Sequence, residues 1–133
     1  MQRVLVTVVT ILALLVLTSS PLTAAEITVS PNVINIASAS TIVTIHTDLP
    51  YSLVVGASVT LNGLDISWWK SDDRGYFVAK FSSDEVKALD EVKEAGADGT
   101  LVKLTLEGAL ESGETFSGTD DVKVIDVSGE KKK

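Results

Sequence analysis

The stretch Val59-Thr60-Leu61-Asn62-Gly63-Leu64-Asp65-Ile66 constrains this chain more than any other. Asn-Gly accepts the positive φ angles of a type I′ turn, whose twist matches two antiparallel strands joined by a two-residue loop. Counting outward from that turn pairs Leu61 with Leu64 and Val59 with Ile66, so one face of the hairpin is apolar throughout. Such a hairpin is not stable alone and must cover a core supplied by other strands. Continuing by twos, Trp68 falls on the apolar face and Trp69 on the opposite one.

The rest of the chain supplies those strands. Ile27-Thr28-Val29 alternates and stops at Ser30-Pro31-Asn32; Val33-Ile34-Asn35-Ile36 follows, then the small residues Ala37 to Ser40. The run Thr41 to Thr47 places Val43 and Ile45 on one face and Thr44 and His46 on the other, and Asp48-Leu49-Pro50 ends it. Tyr76 to Phe81 points Phe77, Ala79 and Phe81 inward. Leu101 to Leu106, Glu114 to Ser117 and Val122 to Val127 complete the set. Short strands between closely spaced turn signals predict a mostly β protein with an antiparallel β-sandwich. One short helix is expected: Ser82 and Glu85 form a capping box, Val86, Leu89 and Val92 form an apolar stripe, and Gly96 is placed to stop it. Its acidic residues form a solvated face, with Lys87 and Glu91 one turn apart.

The chain begins Met1-Gln2-Arg3, then runs apolar from Val4 to Leu17 and ends that region with Thr23-Ala24-Ala25. A basic start, an apolar core and small residues before a cut are the pattern of a secretory signal peptide, here an apolar signal helix over residues 1–25. The apolar run is short for a bilayer span, which needs about 20 residues. An uncleaved membrane anchor is the alternative, and the only expected contact with a membrane. The division that follows is a leader at 1–25, a single sandwich domain at 26–127 and a basic tail at 128–133. The expected location is secreted, periplasmic or at the cell surface.

With no cysteine, such a domain has no disulfide and stands on its hydrophobic core. The chain carries 11 basic against 18 acidic residues, a net charge of −7. Removing the leader takes away only Arg3 and leaves the remainder more acidic. Nucleic acid is not an expected partner, because phosphate must be met by a basic patch. The only basic cluster is Lys131-Lys132-Lys133, read as a solvated tail.

The segment Ser71-Asp72-Asp73-Arg74-Gly75-Tyr76 raises the question of calcium. An EF-hand type of loop needs oxygen ligands at positions 1, 3 and 5 and a glutamate at 12, with glycine at 6. Setting Gly75 at 6 puts Lys70, Asp72, Arg74 and Phe81 at those positions. Two of them are cations, so a hairpin turn is expected, with Asp72 and Asp73 bonding local backbone and Gly75 at positive φ. A calcium-stabilised domain using Asp72 and Asp73 is the alternative reading.

The succession "ITVSPNVINI", "VTIHTDLP", "ASVTLNG", "DDRGYFVAKFSSDEVKAL", "LVKLTLEG" and "SGETFSGTDDVKVID" resembles a small Ig-like module common in secreted and cell-surface proteins of bacteria and archaea. The resemblance covers nearly all of residues 26 to 127. It implies an Ig-like antiparallel β-sandwich of unassigned function, used as a module and not as a catalyst. Many relatives have an aspartate-rich "DGDG" where this chain has "DDRG". Only Asp72 and Asp73 match, and Arg74 departs from the pattern, so the resemblance does not carry ion binding to this chain.

Catalytic chemistry finds little to work with. His46 is the only histidine, it stands between threonines on a polar strand face, and there is no Gly-x-Ser-x-Gly elbow. Zinc draws its ligands mainly from His and Cys, which are lacking beyond His46. Paired carboxylates for glycoside hydrolysis are inevitable among 18 acidic residues and carry no signal. No enzyme activity and no cofactor are expected. The expected binding surface is Trp69 with Asp72, Asp73 and Tyr76, an aromatic platform for an unidentified protein or carbohydrate. The alternative for Trp69 is packing under the helix or against the second sheet.

Overall fold

The computed structural model of the chain describes residues 22–95 and 98–127. Most of the predicted leader, its signal helix, the predicted helix stop at Gly96 and the C-terminal tail lie outside these residues. The described chain is mostly β. One sheet has the order β1 (Leu22–Ala24), β10 (Thr115–Ile125), β9 (Asp98–Leu110), β5 (Val54–Leu61) and β6 (Leu64–Asp65), and β3 (Val33–Asn35) also pairs with β10. The other has the order β2 (Ile27–Ser30), β4 (Ile42–Pro50), β8 (Tyr76–Ser82) and β7 (Trp68–Ser71). The two sheets share a single core. Val29, Val43, Ile45, Phe77, Ala79 and Phe81 from the second meet Val59, Leu61, Leu104, Leu106, Phe116 and Val122 from the first, all buried, in a sandwich arrangement.

The hairpin forms in the expected register, with Leu61 opposite Leu64 and positive φ at Asn62 and Gly63. Asn62 does more than turn the chain. Its Oδ1 accepts from the Thr105 amide at 2.6 Å and its Nδ2 donates to Glu91 at 3.0 Å, tying the hairpin to β9 and to the helical segment.

Beyond Asp65 the expected periodicity fails. The Ile66 amide donates to Val59 in the first sheet, and the Ser67 amide donates to Lys80 in the second. The chain crosses between sheets at this point, so the face count from the hairpin does not extend to Trp68. Trp68 is 47% exposed instead of buried, and Trp69 is 37% exposed.

Further differences have identifiable causes. The single helix is two short ones, α1 (Ser83–Lys87) and α2 (Asp90–Glu94), because Leu89 between them is extended at ψ 140°. Ser82 precedes α1 but makes no side-chain cap bond. The fastening comes from Ser83, whose buried hydroxyl accepts from the Thr41 amide at 2.8 Å. Lys87 reaches Asp84 and the Ser38 carbonyl, not Glu91.

Another difference concerns both ends of the domain. Leu22–Ala24, assigned by sequence to the leader, lies parallel to β10 beside Thr115 to Ser117, and the Ala25 amide donates to the Ser117 carbonyl at 2.9 Å. Gly118, which falls between the strands expected at Glu114 to Ser117 and Val122 to Val127, lies inside the continuous β10. A Cβ there would run into the Ala25 carbonyl and the Ile27 side chain. Here glycine serves close approach between backbones.

Candidate functional site

The four strands of the second sheet bring together every residue singled out for binding, and cross-strand register decides which face each occupies. One row runs Val29, Ile45, Ala79, Trp69, and faces the core. Its first three members are buried. Trp69 closes the row from the edge strand, and its ring lies over Gly56 of β5, where a Cβ would overlap the indole. Trp69 thus packs against the opposite sheet while one side of it meets solvent.

The neighbouring rows face outward. Ser30, Thr44, Lys80 and Trp68 form one, and Thr28, His46, Val78 and Lys70 the next, each crossing β2, β4, β8 and β7 in that order. Strand spacing of about 4.8 Å makes each row roughly 14 Å long. The Lys80 ammonium donates to the Thr44 hydroxyl at 3.0 Å and lies 5.4 Å from the Trp68 ring centroid. That contact combines a hydrogen bond with a cation–π attraction and holds Lys80 flat along the sheet. Val78, although outward, is buried beneath its long polar neighbours. The His46 side chain is exposed and makes no hydrogen bond or ion pair among the described residues.

The turn after β7 closes this face at one end. Asp72 Oδ1 accepts from the amides of Arg74 at 2.8 Å and Tyr76 at 3.0 Å, and the Gly75 amide donates to the Asp72 carbonyl. Gly75 takes φ 88°, as the turn reading requires. The Tyr76 amide, then the Arg74 amide and guanidinium, hold the Asp72 carboxyl below its ordinary value, against the opposite pull of desolvation. Asp73 has no such bond and stands in solvent. The Arg74 guanidinium lies 5.5 Å from the Tyr76 ring centroid.

The four sequence-predicted residues are therefore neighbours without being a single platform. Asp72, Asp73 and Tyr76 border the outer face, whereas Trp69 belongs to the inner row at the edge. Trp68 is the more exposed aromatic of the outer face, whereas the sequence pattern places it in the core. Among the described residues, no three of His, Cys, Asp and Glu converge in a group able to hold a metal ion. One Asp72 oxygen is already engaged by two amides, which leaves the turn short of free oxygen donors for calcium. Family models, curated proteins and solved structures offer no match to this chain.

Proposed function

We propose that the chain is an exported, non-catalytic module with an Ig-like β-sandwich, which binds carbohydrate at the outer face of its four-stranded sheet. The observation that carries the reading is the pair of outward rows. They set hydroxyls of Thr28, Ser30 and Thr44, ammonium groups of Lys70 and Lys80, and an exposed Trp68 on one open surface. Sugar rings are held by an aromatic face together with donors and acceptors for vicinal hydroxyls, and an open sheet face leaves room for an extended polysaccharide. Export rests on the leader-like N-terminal sequence, and the non-catalytic role on an isolated His46 between Thr28 and Val78. The Ig-like type rests on the ordered succession of sequence motifs.

Affinity electrophoresis through gels containing soluble cellulose, xylan, mannan, chitin or pectin derivatives tests this. Retardation by at least one polysaccharide is expected, and Trp68→Ala abolishes it. Unretarded migration in every gel removes the carbohydrate reading, and retardation that survives Trp68→Ala removes this face.

A further inference from the structure

The edges of the second sheet are treated unequally. At one edge, β2 is covered: the Val29 amide donates to Asp120 of β10 at 2.9 Å. At the other, among the described residues, β7 pairs only with β8, and all four of its residues are exposed. Proteins guard such edges with proline, bulges or inward charges. β7 reads Trp68-Trp69-Lys70-Ser71 and has a single charge.

The Asp72 amide donates to Tyr76, which fixes the hydrogen-bonding parity of the β7 and β8 pair. By antiparallel alternation, Lys70 and Trp68 direct their backbone groups to β8, and Trp69 and Ser71 direct theirs away from it. An edge with outward amides and two half-exposed tryptophans is a template for another strand.

We propose that β7 pairs with β7 of a second copy of this chain, antiparallel about a twofold axis at Trp69, so that the two four-stranded sheets become one. In this register Trp69 meets Trp69, and Lys70 of each copy lies opposite Trp68 of the other. The second contact repeats across the axis the cation–π chemistry that Lys80 already makes with Trp68 within the chain. An axis through Lys70 would instead oppose two ammonium groups, which is unfavourable. The pairing is isologous and closes at two copies. It joins two outer faces side by side and does not depend on what those faces bind.

Both tryptophans of the chain lie in β7, so their emission reports on this edge alone. Sedimentation of the protein recovered after export, followed across a wide concentration range with tryptophan emission in parallel, tests the pairing. The expected result is a monomer–dimer equilibrium in which emission shifts to shorter wavelength as dimer forms. Ser71→Pro removes an outward amide without removing a bond to β8, and is expected to weaken dimerisation at least tenfold. Lys70→Glu, at an exposed side chain, provides the same test should the proline variant fail to fold. A monomer at all concentrations overturns the proposal. So does a dimer whose emission is unchanged on dilution and whose affinity survives the folded variants.

Discussion

The two faces of the four-stranded sheet are built by alternate residues of the same strands, yet they differ in how tightly each position is held. On the inner face, Val29, Ile45 and Ala79 are buried against the other sheet, and the row ends at Trp69 with no room left over Gly56. On the outer face, the corresponding row ends at Trp68, which is 47% exposed and lies beside the Lys80 ammonium. Adjacent tryptophans in one strand thus have unequal duties. The inner one is part of the packing, and the outer one is available for contact.

The most severe way to break this contrast is within the inner face. Phe77→Ala removes a fully buried ring from β8 and is expected to destabilise the fold by about 3–5 kcal/mol in chemical denaturation. Gly56→Ala should cost about 1–3 kcal/mol, because the new methyl displaces the Trp69 indole. Its diagnostic is a shift of tryptophan emission to longer wavelength as the ring swings into water. The tryptophans themselves sharpen the comparison. Trp69→Ala is expected to lose about 1–3 kcal/mol, and Trp68→Ala, at the more exposed of the two rings, to lose less. Equal losses at the two sites would erase the distinction between the faces.

The turn yields smaller effects. The Asp72 carboxyl titrates below its ordinary value of 3.8. Its contribution to stability is therefore fully present above that value and is lost as pH falls through the folded one. Asp72→Asn should flatten the acid limb of the stability curve and leave little difference at low pH; an unchanged limb would remove Asp72 from the linkage. Calcium is expected to have the least effect. Thermal unfolding in excess calcium and in chelator should give the same midpoint, since only a ligand held by the native state raises it. A rise with calcium would make the turn a metal site despite Lys70 and Arg74.

Much of the inner face was legible because local alternation and burial agree there. Val43, Ile45, Phe77, Ala79 and Phe81 are inward as the pattern requires, and Asn62-Gly63 turns as its chemistry requires. Trp68 was misplaced because period two holds only along a continuous strand, and the transfer from Val59 to Lys80 at Ile66 and Ser67 is a tertiary event. The break at Leu89 is equally invisible to a helical pattern that its neighbours satisfy. Gly118 lies between the two strands expected from the pattern, and only the approach of Ala25 accounts for glycine inside β10. The outward rows were half legible. Alternation marks Thr44, His46 and Lys80 as outward, but their alignment with Trp68 depends on register between strands far apart in sequence.

The last strand, β10, holds the beginning of the domain. It pairs with β1, β3 and β9, and its Asp120 bonds Val29 across 91 residues of sequence. Closing contacts of that separation makes folding slow, since the loop entropy precedes the reward. Until residues 115–125 arrive, the N-terminal strands have no partner along that side. Among the described strands, β1 and β3 pair with β10 alone, so the two ends of the sequence enter this sheet together and neither end strand is placed before the other.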